Sequence, residues 1–194
     1  MTLLIAGLLI VLGVHSVRLF ADDWRSRTLA RIGRPAWLTL YSLVSLLGLA
    51  LLVGGFAQVR EQPLALWSPP VATRHLATLL MLPAFVLWAA ALVPGNRIKA
   101  RLHHPLVLGV KVWALAHLLA TGTLAHALLF GSLLAWGVLS FRAARLRDRR
   151  EATPYPAGTL GPTLATGVLG VLGWLLFAHW LHGLLMGIRP VSWL

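Results

Sequence analysis

The chain has no cysteine among its 194 residues. Disulfides, thiolate catalysis and thiolate metal sites are therefore excluded. Acidic residues are almost missing too: Asp and Glu number 5, against 17 Lys and Arg. Only 11% of residues are charged, where an average soluble domain has about 25%. A soluble fold of this length could not cover its surface with so few charges. What the chain does have is apolar mass, with 58% hydrophobic residues and a mean hydropathy of +0.80. The formal net charge of +12 raises nucleic-acid binding as a question. The distribution answers it. Charges sit in short clusters between long uncharged runs, as in a polytopic membrane protein whose partner is lipid and not nucleic acid.

The runs predict an all-α bundle of six transmembrane helices in one domain covering residues 1–194. The spans are 2–20, 35–57, 71–93, 105–121, 124–141 and 159–187. The first lacks a basic leader and a small-residue cleavage site, so it reads as a span and not as a signal peptide. Pro35 suits the first turn of the second. Pro83 lies inside the third. Residues 105–141 carry one charge, Lys111. A single helix of that length would measure about 55 Å, and a bilayer core is about 30 Å thick. The stretch must be two helices, broken at Thr121-Gly122-Thr123.

Orientation follows from the connections. Arg25, Arg27, Arg31 and Arg34 fall in the first. Arg97, Lys99 and Arg101 fall in the third, and Arg142, Arg145, Arg147, Arg149 and Arg150 in the fifth. These odd connections are expected on the cytoplasmic side, with both termini periplasmic. A bacterial inner membrane is the expected location. Trp24, Trp37, Trp67 and Trp193 fall near the expected interfaces.

Inside a membrane the informative residues are polar. All five acids are expected in connections. Histidines are the main polar groups left. His15, His75, His117, His126, His179 and His182 fall in or at the edge of spans, and His103 and His104 precede the fourth. A lone span histidine often only bonds a neighbouring helix; so many in so apolar a chain ask for a shared reason. His15 and Arg18 share a helical face. Either His15 packs and Arg18 snorkels, or His15 binds a group whose acid meets Arg18. Lys111 either snorkels or faces an anion. His104 and Lys111 share a face only if the regular helix already includes His104. With no acid in a span, zinc-hydrolase and di-iron sites are disfavoured. Haem, held by two histidines, is the cofactor this inventory supports best.

Several segments resemble one family. They are GVHSVRLF at 13–20, ATRHLATLLML at 72–82, RLHHPLVLGVKVWALAHLLATG at 101–122, and the last helix with His179. The chain resembles the NnrU family, membrane proteins named for association with nitrite and nitric oxide reduction, which includes the 15-cis-zeta-carotene isomerase. The resemblance implies haem b. It implies His15 and His117 as iron ligands, His75 as a reserve and Arg18 as a cofactor contact. His104, Lys111, His126 and His179 are further candidates. It implies redox-linked or isomerase-like chemistry on a lipophilic substrate. A non-enzymatic accessory role beside a respiratory or denitrification complex stays open, as does a transporter or a membrane enzyme that modifies small molecules. One tension is visible already: His15 is expected near the inner half of its span and His117 near the outer half of its own. If they do not meet, His75, His117, His126 and His179 form the competing set.

Overall fold

The computed structural model describes residues 1–190, so Trp193 lies outside the described residues. The elements are α1 (Thr2–Phe20), α2 (Asp22–Val59), α3 (Val71–Leu92), α4 (Arg97–Leu102), α5 (Pro105–Ala120), α6 (Leu124–Arg150) and α7 (Leu160–Leu176). After α7 the chain runs through a π-helical turn, Phe177–Leu181, into a last turn, α8 (His182–Met186). Five helices are long and apolar enough to cross a membrane, and α5 is a shorter apolar helix. The chain is an all-α, multi-span membrane protein.

Two boundaries follow from backbone chemistry. The break at Thr121-Gly122-Thr123 is where the sequence put it. Gly122 lies so close to Trp67 that a Cβ would collide with the Trp67 backbone. Its carbonyl accepts from the amides of Leu66 (2.8 Å) and Trp67 (3.1 Å), and the Leu124 amide bonds Leu64 (2.9 Å). The connection expected between residues 20 and 35 is helical instead. Residues from Asp22 onward already form α2, and the turn comes at Gly33, whose φ of 77° favours glycine. Trp24 and Trp37 would stand about 20 Å apart on a straight helix. Their rings are 5.9 Å apart, so the arginine-bearing segment folds back at Gly33.

The helices do not pack in chain order. α2 lies on α1, α1 on α6, α6 on α5, α5 on α3 and α3 on α7. Small residues permit the closest contacts. A Cβ on Gly7 would collide with the Leu52 backbone, and one on Gly55 with Leu4. The core is Leu8, Ala114, Leu129 and Phe130, bordered by Leu12, Leu52, Phe56, Trp113 and Leu118. The end helices expose leucines such as Leu43, Leu46, Leu164 and Leu172, as surfaces facing lipid tails do. The acids are not in loops alone. Asp22 and Asp23 open α2, and Asp148 sits near the end of α6. All three still lie outside the apolar stretches.

Candidate functional site

Polar side chains gather at the two ends of the helices, along their axes. One end carries most of the span histidines, the other most of the arginines.

At the histidine end, His117 of α5 has its ring 4.4 Å from Phe130 of α6 and nearly parallel to it, at 28°. His126 also stacks on Phe130, 5.9 Å away at 22°. His182 lies 6.5 Å from His117 at 26°. Phe56, Trp113 and Phe177 edge this group. The Nδ1–H of His117 donates to the Trp113 carbonyl (2.8 Å), and that of His182 to the Ile188 carbonyl (2.6 Å). A carbonyl can only accept, so the proton sits on Nδ1 in both rings. That leaves each Nε2 with its lone pair, the arrangement in which imidazole ligates a metal.

His182 reaches this place because of the π turn. Its amide bonds the carbonyl of Phe177, five residues back. On a regular α-helix residues five apart point about 140° apart. The wider turn brings them onto one face, with the two rings 5.8 Å apart.

The other expected ligands lie elsewhere. His15 is exposed, bonds the Val11 carbonyl (2.8 Å), and borders Tyr41 (5.4 Å) and Trp136 (6.2 Å). Trp136 and Phe130 are six residues apart on α6, which is about 9 Å in depth and about 120° around the helix. The structure thus places His15 and His117 at different levels and on different flanks of α6. Arg18 is paired with Asp22 (3.9 Å), an acid of this chain. His75 on α3 has a buried Nδ1 with no hydrogen-bond partner among the described residues. His179 is exposed and bonds Leu175 (3.0 Å). His126 meets the Thr123 hydroxyl (2.6 Å). No group of three or more His, Asp or Glu that could hold a metal ion occurs among the described residues.

At the arginine end, His104 donates Nε2–H to Asp148 (2.8 Å), and Tyr155 donates its hydroxyl to the same oxygen (2.9 Å). Arg145 stands 3.7 Å away and His103 3.8 Å. The His103 ring lies on Tyr155, 3.7 Å between centroids. His103 holds φ at 70°, a costly conformation for a residue with a side chain. Burial works against the Asp148 anion. The hydrogen bonds from His104 and Tyr155 and the nearby positive charge outweigh it, and hold its carboxyl below the ordinary 3.8. Burial, then the Arg145 charge, holds His103 below its ordinary 6.5. Burial, then the bond to Asp148, raises Tyr155. His104 is the residue just before α5, and both it and Lys111 border Phe141, at 6.2 Å and 4.9 Å. The two meet the same ring although His104 stands outside the regular helix.

Sequence reasoning singled out neither Asp148, Tyr155 nor Phe130, and counted His182 only as a span histidine. Asp148 had a signal: it is one acid inside an arginine run. His182 had none, because helical periodicity points it away from Phe177.

The NnrU protein family matches residues 3–190. No curated protein and no solved structure matches the chain. The apolar helices make it a multi-pass protein of a bacterial inner membrane, and by that near-complete match the chain belongs to the NnrU family.

Proposed function

We propose that this chain is a single-domain membrane protein that binds haem b at the histidine end and serves redox-linked or isomerase-like chemistry on a lipophilic molecule. The observation that carries the reading is the His117–His182 pair. Two imidazoles from different helices stand side by side, each with Nδ1–H tied to a carbonyl and Nε2 free. That donor set fits haem iron, which needs two histidines and no carboxylate. Bound haem would supply a redox-active iron that turns Lewis-acidic when a ligand leaves. The chain's own part is to present both nitrogens and to keep water away with Phe130, Trp113, Phe56 and Phe177. His126 and His75 are reserve ligands at the same end. His15 and Arg18 hold no ligand position here, because His15 stands at another depth.

We infer six spans, with α5 as the fourth. Its 16 residues measure about 24 Å, and it packs between α3 and α6. The arginine-rich connections then face the cytoplasm and both termini the periplasm. The family's association with nitrite and nitric oxide reduction supports a role beside respiratory chemistry.

The test is the absorption spectrum of protein purified in mild detergent. A Soret band is expected. His117→Ala and His182→Ala should abolish it, and His15→Ala should keep it. Folded protein that stays colourless after haem supplementation overturns the reading. Co-purification with a respiratory complex would then favour the accessory role.

A further inference from the structure

We propose that the inner end of the α5–α6 groove binds the phosphate of an anionic phospholipid, with Lys111 as its fixed charge.

Lys111 leaves α5 about 9 Å along the axis from Pro105. Its stem crosses α6 at Gly137, where a Cβ would sit 2.8 Å from the Lys111 Cγ. Its ammonium ends 4.9 Å from the centre of the Phe141 ring. Phe141 is one turn nearer the arginine end than Gly137. The side chain is therefore laid along α6 toward that end, in a channel that glycine keeps open. A snorkelling lysine that simply reached water would need no such channel.

The ammonium has no hydrogen bond and no carboxylate among the described residues. The nearest acid by fold position, Asp148, is already taken by His104, Tyr155 and Arg145. A ring face attracts a cation but does not neutralise it. Arg142 and Arg145 follow on α6. The groove thus offers a cation in a positive field. It lies where the apolar stretch of α6 meets its charged extension, the depth of a lipid phosphate. The chemistry it recognises is a phosphate monoanion, and its position assigns that phosphate to a lipid.

Native mass spectrometry of the full chain in detergent tests this, with added phosphatidylglycerol or phosphatidylcholine. The wild type should retain one phosphatidylglycerol in preference to phosphatidylcholine. Lys111→Met keeps the length of the stem and should lower retention about fivefold, the worth of one lysine near a membrane surface. Lys111→Arg should restore it. Arg149→Gln, an exposed charge on the same extension, should change it little. Equal retention by Lys111→Met and wild type overturns the proposal. So does an equal loss with Arg149→Gln, which would make the effect diffuse charge. Displacement of the lipid by millimolar inorganic phosphate overturns the lipid assignment in favour of the free ion.

Discussion

The histidine end and the arginine end of these helices use the same side chain for opposite purposes. At the histidine end, imidazoles bond only to backbone carbonyls and to Thr123, and they pack on aromatic rings. Among the described residues no acid contacts them, so the Nε2 atoms of His117 and His182 stay available. At the arginine end, His104 spends Nε2 on Asp148, within a network that also uses Tyr155 and Arg145. That imidazole fastens the start of α5 to the end of α6 and the connection beyond it. A histidine near acids becomes a strut; a histidine among rings and carbonyls keeps a ligand nitrogen free. The type of neighbour separates the two roles, and the number of histidines does not.

The largest effect should come from the register of the π turn. Inserting one alanine beside Trp180 turns His182 by about 100°, and the Soret band should vanish as it does in His182→Ala. Deleting the exposed Trp180 leaves His182 four residues from Phe177, still on its face, and the band should stay. Loss of the band in both variants would break the proposed link between π turn and ligand.

A smaller effect is expected at the other end. Asp148→Ala removes the acceptor shared by His104 and Tyr155. It should cost about 2 to 3 kcal/mol of stability, read as a lower Tm in detergent, with the Soret band unchanged. A band that weakens with Asp148→Ala would show that the two ends are coupled.

The smallest effect is on pH. His103 is held below its ordinary 6.5, so the folded state resists its protonation. Its contribution is full above pH 6.5 and is lost as pH falls from there toward the lowered value. Asp148, held below 3.8, adds a second loss only in stronger acid. Tm should therefore drop as pH falls below 6.5, and His103→Gln should drop less. An equal drop in both proteins would remove His103 from the account.

Much of the fold was legible in the chain. Thr121-Gly122-Thr123 had to interrupt a run of 37 residues with one charge, because one helix would overshoot the bilayer. Gly33 with Pro35 marked a turn, though not that the arginine segment before it is helical. The segment has no helix breaker, and Arg18, Asp22 and Arg25 pair along it. The site was legible only in part. His117 and His126 both stack on Phe130. His15 is not with them, and His182 is.

By itself the sequence determined that the protein lives in a membrane, that a break falls at Thr121-Gly122-Thr123, and that histidine is its main intramembrane polar group. Those are properties of composition and local runs. The tertiary structure decided which histidines meet. The packing order α2–α1–α6–α5–α3–α7 differs from chain order, and it separates His15 from His117 by the width and rise of α6. One π turn then adds His182 to the set, because five residues close on one face there and on no regular α-helix.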